Sequence, residues 1–169
     1  MIQNRRRVWV HYRQFVFCTP EGDIDDLPQA DDAVNGLVAV NDLGGVVLTG
    51  LHTGPVLLEA STHDSEPPPD EGSEWDEIVE VPFHPATAVL TMSPWADTDE
   101  DNPAVEFAGP DTYRLRVHAQ GRDAGWKVDN LPSDATPVER YLIQSWRAPS
   151  APERILKQND EAGREWREG

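Results

Sequence analysis

Asp97, Asp99 and Asp101 stand on alternate residues of the stretch DTDEDN. That is the spacing at which a calcium loop presents its first carboxylates. An EF-hand would next need Gly where Asn102 stands and a bidentate Glu where Ala108 stands, and neither is there. A looser calcium or small-ligand site, built where end loops of a β-domain converge, stays open as a second reading. The other residue types that carry chemistry are dispersed. His11, His52, His63, His84 and His118 occur singly, with no spacing that assembles a zinc site. Cys18 is the one cysteine, which forbids an internal disulfide and fits a reducing compartment. No Gly-x-Ser-x-Gly, phosphate-binding glycine loop, dinucleotide fingerprint or His-Glu-x-x-His is found. The expectation is therefore no catalytic residues, no cofactor and no tightly held metal. An enzyme of unrecognised type is the third reading.

Charge is the stronger signal. The 169 residues carry 31 acids against 14 Lys and Arg, a formal net charge of −17. From Gln14 to Tyr113 there is no Lys or Arg, while 22 of the 31 acids fall in that stretch. Such a surface repels nucleic acid and anionic membranes and attracts basic proteins. A solvated acidic surface serving only solubility is the plainer alternative. Two acidic loops also hold tryptophans, which anchor interfaces when they are buried there. The expected partner-binding set is Glu71, Glu74, Trp75, Asp76, Glu77, Trp95, Asp97, Asp99, Glu100 and Asp101, facing a basic protein.

These residues need a scaffold, and period-two alternation supplies its outline. Val8, Val10 and Tyr12 alternate with Trp9, His11 and Arg13, leading into QFVFC. Thr19 to Asp32 reads as loop. GLVAVNDLGGVVLTG reads as two strands about an Asp42–Gly45 turn, and PVLLEAST as a half-buried strand. EIVEVPFH, TAVLTM, AVEF, TYRLRVHAQ and RYLIQSWRA complete eight or nine strands. The expected fold is all-β, an antiparallel two-layer β-sandwich over residues 1–150. Residues 151–169 are expected to form a short C-terminal helix and a frayed tail. Ser150 and Glu153 have capping-box spacing, and Ile155, Leu156, Ala162 and Trp166 offer an apolar stripe. No apolar run approaches a membrane span, and polar residues interrupt the N-terminal apolar stretch, so a cytoplasmic location is expected.

TYRLRVHAQ poses its own problem, because Arg114, Arg116 and His118 share one face of a strand. The opposite face, Tyr113, Leu115, Val117 and Ala119, suits a core. The polar face is expected toward solvent, its arginines paired with carboxylates on neighbouring strands. Glu59, Glu80 and Glu139 are the candidates.

YRQFVF, WDEIVEVPFHPATAVL and TYRLRVHAQGR succeed one another in the order seen in the ComJ-like family, which this chain resembles. The segment that matches best is VEVPFH, Val79 to His84, and the resemblance runs from about Val8 to Gln120. PVERYLIQSWRAP and the C-terminal residues after it look more like stand-alone actinobacterial relatives of unknown role. The resemblance implies a small all-β protein that acts by binding, as a nuclease inhibitor does, without catalytic residues. An acidic surface fits that role, since a nuclease grips phosphates with a basic cleft.

Overall fold

Where the sequence alternates, the backbone is extended, and the computed structural model of the chain shows how those strands are arranged. It describes residues 2–19, 23–69, 74–86, 89–94, 104–106 and 111–169. Among them the strands are β1 (Ile2–Val10), β2 (Gln14–Cys18), β3 (Val38–Asn41), β4 (Gly44–Leu48), β5 (Gly54–His63) and β6 (Glu77–Phe83). They continue with β7 (Val89–Pro94), β8 (Ala104–Glu106), β9 (Tyr113–Gln120), β10 (Arg140–Arg147) and β11 (Arg154–Gln158). Helix α1 (Arg122–Val128) separates β9 from β10, α2 (Glu161–Glu168) ends the chain, and Ile24–Asp26 and Ala30–Asp32 form single 3-10 turns.

A six-stranded sheet, in order β1-β5-β10-β9-β6-β11, lies against a five-stranded sheet, in order β3-β4-β2-β7-β8. The all-β, sandwich-like expectation stands, with one change. β10 sits between β9 and β5, antiparallel to the first and parallel to the second. The two parallel strands are far apart in sequence, and the long connection between them permits a direction that a hairpin forbids.

Alternation decides which side chains enter the space between the sheets. Val56, Leu58 and Ala60 of β5, Tyr141 and Ile143 of β10, and Tyr113, Leu115, Val117 and Ala119 of β9 face inward. They meet Phe15, Phe17, Val38 and Val47 of the smaller sheet. Phe15 packs edge-on against Tyr141 at 5.3 Å, and Phe17 against Phe83 at 6.0 Å, the offset geometry aromatic quadrupoles favour. A second cluster covers the outside of the smaller sheet. There Val16, Val46 and Leu48 lie beneath Leu27, Ala33 and Trp166.

The C-terminus departs from expectation. No helix starts at Ser150; residues 154–158 form β11 on the open edge of β6, with a register shift between Ile155 and Lys157. An unpaired edge offers a row of backbone donors and acceptors, and the tail satisfies them. A capping box, worth about 1 kcal/mol, does not compete with that row of bonds. Glu153 instead accepts from Asn35 Nδ2 at 3.0 Å. The true helix lies further on, where Asp160 caps it by accepting from the Gly163 N–H at 2.7 Å. It is docked rather than frayed, with Ala162 and Gly163 buried.

α1 has no counterpart in the alternation pattern. Gly121 enters it at φ +86°, where a Cβ would lie 2.1 Å from the Val138 carbonyl oxygen. Only glycine allows that approach.

Candidate functional site

The arginines of β9 do not face solvent. Arg114 and Arg116 are 6% and 1% exposed. Glu80 receives Arg114 Nε at 3.1 Å and Arg116 Nε at 2.9 Å. Arg114 also donates to the carbonyls of Ala151 and Pro152, at 2.7 and 2.8 Å. Arg116 donates to the Pro67 carbonyl at 3.1 Å and pairs with Glu66 at 3.2 Å. This face is polar because two connections cross it, and the arginines satisfy their carbonyls. Of the three candidate carboxylates, Glu80 is the partner. Glu59 pairs with Arg5 at 3.3 Å. Glu139 turns to the backbone N–H groups of Gly50 and Leu51 and the Tyr141 hydroxyl. Since the acceptors are internal, the stripe is committed to the fold rather than to an external anion.

The first expected acidic loop is largely occupied by the protein itself. Glu74 pairs with Arg140 at 2.5 Å. Trp75, expected as a partner anchor, is 2% exposed, with the Arg140 guanidinium 4.8 Å from its ring and His118 5.2 Å away. Asp76 accepts from the Gly121 N–H at 2.9 Å. Glu77 lies on β6 and is fully buried. A partner therefore cannot reach Trp75 or Glu77, because the loop folds back over the large sheet instead of standing away from it. Glu71, Trp95, Asp97, Asp99, Glu100 and Asp101 lie outside the described residues.

Glu77 belongs to an ionic centre that no spacing in the sequence announces. Arg122 donates from Nε and Nη2 to the two Asp160 oxygens, at 2.7 and 2.8 Å. Its Nη1 donates to the Gly36 and Leu48 carbonyls. Glu77 approaches Arg122 at 4.0 Å, accepts from the Asp160 N–H at 3.2 Å and meets Arg167 at 3.4 Å. Burial, then the neighbouring Asp160 carboxylate, pushes Glu77 up to about 7. Burial opposes ionisation of Asp160 too, but the bidentate Arg122 overrides it and holds that carboxyl below its ordinary value. Burial likewise pushes Glu139 up to about 7, against the hydrogen bonds it accepts. These groups fasten α1, α2, β6 and the smaller sheet together. Arg122, Glu77, Glu139 and Asp160 are all buried.

A different end of the molecule is open. Tyr12 and Arg13 are the two central residues of the tight turn that carries the chain from β1 in one sheet to β2 in the other, closed by the His11–Gln14 bridge, and adopt φ +54° and +61°. A two-residue turn with both angles positive normally takes Asn-Gly, and each bulky residue there costs about 1–2 kcal/mol. The only other positive-φ residue that is not glycine, among those described, is Asp129 at +68°, and Arg13 Nη2 pairs with it at 2.7 Å. Strain of this kind concentrates at functional positions. The turn exposes Tyr12 (58%), stacked on His11 at 4.4 Å and edge-on to His52 at 5.6 Å, while Arg13 lies over the ring of Trp126.

Next to this tip, the 3-10 segment that covers the smaller sheet carries Asp23, Asp25, Asp26, Asp31 and Asp32, all exposed. None of the five forms an ion pair among the described residues. Burial, then the charges of Asp23 and Asp26, pushes the nearby Cys18 thiol up, away from nucleophilic use. Alternation alone reads Thr19–Asp32 as plain loop. The signal that marks it is the lack of any Lys or Arg from Gln14 to Tyr113, which leaves these acids without a partner nearby in sequence. Among the described residues, no group of three or more His, Cys, Asp or Glu is placed to hold a metal, and no helix is long and apolar enough to cross a membrane.

The molecule is thus a mainly antiparallel two-sheet β protein. Its fold is that of ComJ from Bacillus subtilis, inhibitor of the DNA degrading activity of NucA. That crystal structure superposes with a TM-score of 0.58 over 86% of this chain and 96% of ComJ, at 14% identity. A second solved structure, Crocagin biosynthetic gene J, superposes with a TM-score of 0.55 over 88% of this chain and 100% of its own, at 11% identity. At such identities the likeness is one of fold. No protein-family model and no curated protein sequence matches the chain.

Proposed function

We propose that this chain is a binding protein of nuclease-inhibitor type, not an enzyme, and that its partner is a basic protein. The observation that carries the reading is the set of unpaired acids Asp23, Asp25, Asp26, Asp31 and Asp32 beside an exposed, strained aromatic turn. The shared fold with ComJ, inhibitor of the DNA degrading activity of NucA, supports it. Complementary charge sets encounter rate and partner choice, while aromatic groups that become buried carry affinity. The acids of the second loop, Asp97, Asp99, Glu100 and Asp101, with Trp95 and Glu71, are proposed to add to the contact.

The test is capture from the host lysate at low salt, followed by association kinetics with the captured protein. Raising salt from about 0.05 to 0.5 M shortens the screening length from roughly 14 to 4 Å and should slow association markedly. Joint reversal of Asp25, Asp26, Asp31 and Asp32 to Lys should slow it further without unfolding the domain, since exposed charges contribute little to stability. Reversal of Asp97, Asp99, Glu100 and Asp101 measures the share of the second loop. If the captured protein is a nuclease, its cleavage of DNA should fall in proportion to complex formed. Capture of acidic partners only, or association indifferent to both salt and reversal, refutes the proposal.

A further inference from the structure

A cleft of about 320 Å³ separates the Tyr12–Arg13 turn from the second 3-10 turn and is lined by Tyr12, Gln14, Gln29, Ala30 and Asp31. That volume is at the small end for ligand sites, suited to one side chain rather than a nucleotide or cofactor. Gln14 is the informative residue. It is only 6% exposed at the start of β2, its backbone paired across to His11, yet its carboxamide has no hydrogen-bond partner among the described residues. Its amide atoms are not sealed off, since the enclosed side-chain atoms without a partner, among the described residues, are Thr19 Oγ1, Arg140 Nε and Trp166 Nε1. Here the amide opens onto the cleft, whose outer wall carries the exposed carboxylate of Asp31 and the ring of Tyr12.

The protein's own cation does not fill this space. Arg13, the adjacent residue, donates to the Gly50 carbonyl, pairs with Asp129 and lies over Trp126 at 4.0 Å. Asp32 is also occupied, accepting from the Gln29 N–H at 2.8 Å, which leaves Asp31 as the uncommitted acid. An amide oxygen, a carboxylate and an aromatic ring around one small cleft match a planar cation with several donors. Guanidinium reaches two acceptors at once and stacks on a ring, whereas ammonium is a compact, strongly hydrated point charge.

We propose that this cleft receives an arginine side chain of the partner protein, with Gln14 and Asp31 as acceptors and Tyr12 as the stacking surface. The inference rests on the proposed function and names the group that the acidic surface would recognise.

The probes are blocked Gly-Arg-Gly, Gly-Lys-Gly and Gly-citrulline-Gly peptides, titrated against the labelled full chain by NMR. The arginine peptide should shift the Gln14 side-chain amide and the Tyr12 ring saturably. The lysine peptide should bind at least about threefold more weakly, and the neutral citrulline peptide about tenfold. Asp31→Asn, at an exposed position that folding does not depend on, should weaken the arginine peptide about threefold or more. Gln14→Leu should abolish the shifts at the ring while leaving the rest of the spectrum intact. Equal binding of arginine and citrulline, equal binding of arginine and lysine, or no shift at Gln14 overturns the inference. If salt-sensitive capture of a basic protein persists in that case, only the cleft assignment fails. If the peptide binds but no basic protein is captured, the proposed function fails and the cleft assignment stands.

Discussion

Replacing Asp160 with Ala tests the tightest part of the fold. The substitution removes both hydrogen bonds to Arg122 and the cap on the Gly163 N–H, and leaves a fully buried guanidinium without its carboxylate. Breaking a buried pair in this way costs about 3–5 kcal/mol, and loss of a helix cap adds about 1 kcal/mol. Glu77 offsets part of this. It lies 4.0 Å from Arg122, and without Asp160 beside it, it ionises more readily and supplies the missing charge. The net loss should be about 3 kcal/mol at neutral pH, or a fall in Tm of about 6–12 °C for a domain of this size. Thermal and urea unfolding measure it, and hydrogen exchange should show α2 and β11 opening first. Arg122→Met leaves Asp160 and Glu77 buried together and should be destabilising too. The double variant should recover part of the loss, giving a coupling of about 2 kcal/mol in the cycle. A Tm within about 2 °C of the parent, or a coupling below about 0.5 kcal/mol, would refute the assignment of this pair as the clamp on the C-terminus.

Two further outcomes are expected. Glu139 and Glu77 are each held up to about 7 against an ordinary value of 4.5, so the folded state binds more protons than the unfolded chain. Stability should therefore fall as pH rises from about 4.5 through about 7, by about 3 kcal/mol for Glu139 alone. Tm read from pH 5 to pH 8 checks this, and Glu139→Gln should flatten the slope; an unchanged slope rejects Glu139 as its source. Tyr12→Asn relieves a left-handed aromatic residue and should raise Tm by about 1–3 °C, while speeding dissociation of the proposed basic partner. A lowered Tm would mean that the stack on His11 outweighs the backbone strain.

The strands are legible in the sequence because their code is local. In TYRLRVHAQ the apolar residues recur every second position, and Tyr113, Leu115, Val117 and Ala119 are all in the core. The same alternation places Glu80 among the possible partners of the arginines from its position on a neighbouring strand, and the register brings Glu80 opposite Arg116. Burial of that polar face is not legible, because the connections that cover it are set by chain path and leave no periodic trace. The tail misleads for a related reason. SAPE carries a helix signal, but the open edge of β6 exists only after the sheet has formed, and its backbone groups outweigh a local cap.

The candidate surface divides in the same way. Net charge, the stretch without Lys or Arg and the lack of catalytic motifs are set by composition and order alone. Which acids remain free is not. Glu74, Asp76, Glu77 and Glu80 are consumed by Arg140, Gly121, Arg122 and the β9 arginines, partners 34 to 66 residues away in sequence for the hydrogen bonds and ion pairs of Glu80 and Glu74. Asp23 to Asp32 remain unpaired because their segment lies over the smaller sheet, away from those arginines. Charge is a property of each residue, whereas its neutralisation requires two residues to meet within about 4 Å. Only the packed chain determines which of them do.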